Sequence, residues 1–195
     1  MKNIVVGRKK QIAELQDALV SGKPEMIALV GRRRIGKTYL VRHVYGNRID
    51  FELTGLQGEG LETQLQNFVF SMGKFFPNFQ LTTKPTSWLE AFHWLSQALE
   101  NLGKQEKMVV FLDELPWLGS KRSGFITGLG YFWNSWASAR NDVVLVGCGS
   151  AASWMLNKLI HSRDGLHNRV TTRIRLEPFT LREAETLLLR KNAAL

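Results

Sequence analysis

The sequence predicts an α/β fold: a five-stranded, mainly parallel sheet with helices on both faces. Three observations carry this. Short apolar runs of strand length alternate along the chain with segments of helical periodicity. Two runs, Met26–Val30 and Met108–Leu112, are apolar throughout, as strands covered on both faces are. No apolar stretch approaches the roughly 18–20 residues that a membrane span requires.

The elements follow in order. Gln11–Val20 is an amphipathic helix with Ile12, Leu15 and Leu19 on one face, stopped by Ser21-Gly22-Lys23-Pro24. Met26–Val30 is the first strand and Lys37–Tyr45 the next helix. Ile49–Leu53 is the second strand. Leu61–Phe76 and Ser87–Leu102 have helical periodicity and are separated by a turn-rich stretch around Pro77 and Pro85. Met108–Leu112 is the third strand. Phe125–Ala139 is a helix carrying Phe132, Trp133 and Trp136 at close spacing. Val143–Val146 is the fourth strand, 151–160 a helix, Val170–Leu176 the fifth strand and Leu181–Lys191 a last helix. Parallel neighbours need right-handed crossovers.

The chain has 195 residues, 26 Lys and Arg against 17 Asp and Glu, and a net charge of +9. Such a chain favours nucleotides, nucleic acid or an acidic protein as partners, or simply has a basic solvated surface. One cysteine, Cys148, excludes an internal disulfide and a multi-cysteine zinc site. The first residues contain no apolar signal-peptide region. The expected location is the cytoplasm. His43, His93, His161 and His167 lack metal-ligand spacing and read as structural.

The strongest motif is Gly31-Arg32-Arg33-Arg34-Ile35-Gly36-Lys37-Thr38, followed by Tyr39. It fits G-x-x-x-x-G-K-[ST], the Walker A or P-loop pattern, between an apolar run and a helix as the chemistry requires. The glycines let successive N–H groups point at phosphate oxygens, and the following helix offers its positive end to the same anion. Lys37 then reaches the β- and γ-phosphates and the Thr38 hydroxyl coordinates Mg²⁺. Arg32, Arg33 and Arg34 either contact phosphate or an acidic partner, or crest a solvated loop. Met108–Leu112 runs into Asp113-Glu114, the Walker B arrangement. Asp113 holds Mg²⁺ and Glu114 deprotonates the attacking water. The predicted fold is therefore a P-loop NTPase three-layer α/β/α sandwich, with an extra strand between the Walker A and Walker B strands. Ser150 fits a γ-phosphate sensor, the N-cap of the next helix, or both. Arg169 fits either transition-state charge stabilisation, in cis or from a neighbouring subunit, or a surface charge.

These motifs resemble the archaeal-type ATPases of the STAND branch of AAA+-related P-loop ATPases. The resemblance rests on Val6-Gly7-Arg8 with its helix, the arginine-rich Gly31–Thr38, Phe111-Leu112-Asp113-Glu114-Leu115-Pro116-Trp117-Leu118, and Gly149-Ser150 with Arg169 and Leu176-Glu177-Pro178-Phe179-Thr180. It departs from the family at Lys9, Lys10 and Gln11, where an acid is usual, and at Asn168, where glycine usually precedes the arginine. It implies adenine-side contacts from Val6 and Arg8 and an ATPase acting as a conformational switch between ATP and ADP forms. Residues 1–178 would be the ATPase core and 179–195 the start of a truncated helical lid. Partners would be ATP and ADP, with a homo-oligomer, a protein partner and nucleic acid left open, and no membrane. The alternative is a nucleotide-binding interaction module with negligible hydrolysis, with nucleic-acid association left open.

Overall fold

The computed structural model describes residues 5–120, 122–150, 154–160, 166 and 168–192. Five strands form one sheet in the order β2-β3-β4-β1-β5. They are β1 (Glu25–Gly31), β2 (Ile49–Thr54), β3 (Met108–Asp113), β4 (Val143–Gly149) and β5 (Thr172–Leu176). Every pairing is parallel. β4 lies between β1 and β3, while β2, intervening in the sequence, takes the outer edge beyond β3.

The two faces follow from strand alternation. Met26 and Ala28 of β1, Val110 and Leu112 of β3 and Leu145 of β4 enter one core. Ile27 and Leu29, Val109 and Phe111, and Val144 and Val146 enter the other. α1 (Lys9–Val20) and α2 (Lys37–Tyr45) cover the second face through Leu15, Ala18, Leu40 and Val41. α3 (Leu61–Phe75), α4 (Trp88–Glu100) and α6 (Phe125–Ser135) cover the first. Aromatic rings fill that layer, with Trp88 edge-on to Phe125 at 5.0 Å and Phe92 5.4 Å from Phe132.

The main differences from sequence expectation are local. Leu115–Leu118 forms a single turn, α5, too short to show periodicity. The expected 125–139 helix breaks at Trp136 into a separate 3₁₀ turn, Ala137–Ala139. Met155–Ile160 is π-helical, and the start of the helix expected over 151–160 lies outside the described residues. β5 begins two residues later than its apolar pattern. The last helix, α7, spans Leu181–Asn192. Among the described residues no helix is long and apolar enough to cross a membrane.

Gly128 sets how closely α6 approaches α4. A Cβ there would lie 2.8 Å from the Trp88 backbone carbon. We expect Gly128→Ala to destabilise the chain by about 1–3 kcal/mol, read from the urea midpoint with an unchanged slope. An equal midpoint would mean that this crossing is not tightly packed.

Candidate nucleotide site

The loop after β1 is shaped by backbone constraints. A Cβ on Gly31 would lie 2.8 Å from the Leu176 carbonyl oxygen, so the strand end and β5 meet backbone to backbone. Arg34 and Gly36 both have positive φ, 63° and 93°. Gly36 turns the chain so that α2 starts at Lys37. The loop thus leads into the positive end of α2, where unpaired N–H groups favour an anion. Lys37 is only 5% exposed. Its Nζ donates to the carbonyls of Gly31 and Arg32, each at 3.0 Å. Ile35 packs into the α1–α2 layer, and Tyr39 is exposed, stacked on His43.

β3 delivers the two carboxylates. Thr38 Oγ1 donates to Asp113 Oδ2 at 2.6 Å, across 75 residues of sequence. The Glu114 amide closes on Asp113 Oδ1 at 3.0 Å. Glu114 itself adopts a left-handed conformation (φ 50°), which turns its side chain away from the strand direction. Its Oε2 accepts from the Ser150 hydroxyl at 3.0 Å and from the Ser150 amide at 3.4 Å. The structure therefore groups Lys37, Thr38 and Asp113 at the loop, and Glu114 with Ser150 beside them. The N-cap reading of Ser150 concerns a helix start outside the described residues.

The remaining sequence candidates divide. Arg33 lies over the Trp117 ring at 5.5 Å, and its guanidinium donates to Gln57 at 3.4 Å. Arg32 and Arg34 are exposed. Val6 is buried, and Arg8 caps α1 from a left-handed conformation. The Arg8 guanidinium donates to the Glu177 carbonyl at 2.6 Å and lies 4.6 Å from the Phe179 ring centre. The opening and closing segments thus meet each other.

The structure does not bring Arg169 to Lys37. It is exposed in the turn before β5, with its amide bonded to the Leu166 carbonyl. Two residues on, the Thr171 amide donates to the Met26 carbonyl at the start of β1. Lys37 follows the other end of that strand, about 16 Å away at about 3.3 Å per residue. In a parallel sheet, a residue preceding a strand belongs to the opposite edge from the ligand crevice.

Sequence reasoning missed Gln64. It is fully buried and bonds the Leu56 amide, the Leu56 carbonyl and the Trp117 carbonyl. Its signal was a polar residue on the apolar stripe Leu61, Leu65, Phe68, Met72 of α3. It pins the β2–α3 loop to α5, where Gly55 leaves no room for a Cβ against the Glu114 carbonyl.

Burial pushes the Cys148 thiol well above its ordinary value, and Asp113 raises it further by charge and hydrogen bonding, while Lys37 opposes. As for a metal, the donors are the Thr38 hydroxyl and the Asp113 carboxylate in direct contact, a hard oxygen pair that suits Mg²⁺. Among the described residues no cluster of three His, Cys, Asp or Glu offers an all-protein cage. Mg²⁺ shared with phosphates does not need one.

Comparison with known proteins bears on the family and the fold. A family of ATPase domains predominantly from Archaea matches residues 5–192. The fold is similar to that of a Walker-type ATPase of Pyrococcus abyssi, with TM-score 0.66 and 22% identity over 98% of this chain and 59% of that one. It is also similar to the ORC2 protein of Aeropyrum pernix in its ADP form, with TM-score 0.64 and 19% identity over 98% of this chain and 53% of that one. A STAND protein with a tetratricopeptide repeat sensor from Pyrococcus horikoshii matches with TM-score 0.54 and 15% identity, over 99% of this chain and 26% of that one. The chain thus spans about three-fifths or less of these structures. No curated protein matches it.

A raised thiol pKa in a buried strand predicts an inert cysteine. We expect Cys148 to resist maleimide at pH 8 in the native chain and to react fully in denaturant, followed by mass spectrometry. Rapid native labelling would mean that β4 opens beside Asp113.

Proposed function

The chain belongs to the family of ATPase domains found predominantly in Archaea, and on that premise we propose that it binds ATP with Mg²⁺ at Gly31–Thr38 and hydrolyses it. The observation that carries this reading is the contact of Thr38 with Asp113, with Glu114 and Ser150 alongside.

In this reading the residues have separate tasks. Lys37 exchanges its two loop carbonyls for the β- and γ-phosphates, a stronger charge-assisted partner. Backbone N–H groups from Gly31 through Thr38, with Tyr39 on the first helical turn, cradle the phosphates. Thr38 and Asp113 would hold Mg²⁺, which would supply positive charge against the charge developing on the phosphates. Glu114 accepts the proton of the attacking water once its carboxylate is shared with or released by Ser150. Ser150 reports the γ-phosphate to Glu114 through that bond. Val6 and Arg8 border the base side. Arg169, at the opposite edge, can act only on the site of a second copy.

We further assign residues 1–178 as the ATPase core and α7 as the start of a helical lid in a STAND-type switch, with the ATP and ADP forms as its two states. The contacts of Arg8 with Glu177 and Phe179 support this, since they join the base side to the segment entering α7. A second reading, nucleotide binding with negligible hydrolysis, is favoured by the engagement of Glu114 with Ser150 and by the distance of Arg169. Saturable MgATP binding without phosphate release at high protein concentration would select it.

At ligand near 100 times its dissociation constant, MgATP should stabilise the chain by about 2.7 kcal/mol and raise its melting temperature by several degrees. Lys37→Ala should abolish the shift. Glu114→Gln should keep it while turnover falls about 100-fold or more, and chelating Mg²⁺ should stop turnover. Unchanged turnover in Glu114→Gln would remove Glu114 as the base.

A further inference from the structure

A second cavity, of about 770 Å³, opens between the α5–α6 loop and the π-helical segment Met155–Ile160. None of its lining residues belongs to the Gly31–Thr38 loop or to the Asp113, Glu114 and Ser150 group. Its chemistry is one-sided. Arg122 and Lys158 line it, together with the hydroxyls of Ser120, Ser123 and Thr127, and among the described residues no carboxylate does. Both cations are exposed, and among the described residues neither has a hydrogen bond or ion pair. Several other arginines and lysines are matched, as in Arg42 with Glu52, Lys104 with Asp50 and Arg140 with Asp142.

Two further features shape the cavity. Trp154 forms one wall, pressed so closely on Gly119 that a Cβ there would come within 2.2 Å of the indole. The start of α6 forms another, where the Phe125 amide donates to the Ser123 hydroxyl at 3.3 Å. Two exposed cations and neighbouring hydroxyls select a phosphate, and the indole offers a flat apolar surface for a ring. The volume lies within the usual range for small-molecule sites.

We propose that this cavity is a second binding site, separate from the P-loop, for a nucleotide unit: a phosphate held by Arg122 and Lys158, with its base against Trp154. The unit is either a free nucleotide or one residue of a nucleic-acid strand.

The test is built to stand apart from the P-loop. Binding of a short fluorescein-labelled oligothymidylate (by anisotropy) and of adenosine monophosphate (by calorimetry) is measured at low salt. It is done on the Lys37→Ala chain and on the unsubstituted chain saturated with MgATP, so that a variant that misfolds does not end the experiment. The expected result is binding of at least one probe, weakened about tenfold or more by Arg122→Gln with Lys158→Gln and unchanged by Arg173→Gln, which removes a charge outside the cavity. Oligothymidylate alone would identify a strand, with a salt dependence reduced by one to two units in the double variant. Adenosine monophosphate alone would identify a free nucleotide. Failure of both probes to bind at low salt would overturn the proposal. So would equal binding by the double variant, or an equal loss in Arg173→Gln.

Discussion

Thr38, at the start of α2, and Asp113, at the end of β3, meet over 2.6 Å although β1, which leads into α2, and β3 are not neighbours. Strands two places apart are separated by roughly 10 Å, so each side chain must reach over the end of the strand between them. That constraint falls on β4. Its last residues are Gly147-Cys148-Gly149, fully buried in register with Ala28, Leu29 and Val30 of β1. A Cβ on Gly147 would lie 2.5 Å from Leu115, and one on Gly149 would lie 2.8 Å from Pro116. The glycines let α5 pack directly on the end of β4. α5 follows Glu114 immediately, so the same close packing sets where the carboxylate points. The small residues of β4 are therefore what allow two distant motifs to form one site.

Strand content was legible because parallel strands covered on both faces are apolar without interruption. The P-loop and the acidic strand end were legible because phosphate and metal chemistry demand particular residues at particular places. Strand order was less so: placing β4 between the Walker strands came from the motif class rather than from any residue in β4. For Arg169 residue type left three readings open: action in cis, action from a neighbouring subunit, or a surface charge. Its position just before a parallel strand already assigned it to the edge opposite the crevice, and the turn at Leu166–Arg169 bears this out. Gln64 failed for the opposite reason. Its part depends on which backbone groups the β2–α3 loop and α5 leave without partners, and that is a tertiary property.

Polar groups near the crevice are arranged in connected pairs. Asp113 accepts from Thr38 and from the Glu114 amide, and its own carbonyl accepts from Gly55. Gln64 then joins the loop that follows Gly55 to the carbonyl of Trp117. Arg33, from the P-loop, rests on the ring of that tryptophan. The two halves of the site are thus tied through backbone carbonyls and one buried amide side chain, with few direct ion pairs. Such a lattice holds geometry without neutralising Lys37, which leaves the lysine's charge for a ligand.

The placement of Lys37 argues most directly for an anion. A buried ammonium without partners carries a desolvation cost of several kcal/mol, and two carbonyl dipoles offset only part of it. Both carbonyls belong to the loop itself, at Gly31 and Arg32, so the lysine stays folded over the loop rather than swinging out to solvent. A phosphate bound there would replace those dipoles with a full opposite charge in a partly dehydrated setting. Little side-chain entropy remains to be lost, because burial has already restricted the chain. The loop therefore bears the main cost of organising a cationic anion site when the protein folds, and the ligand meets a site already formed.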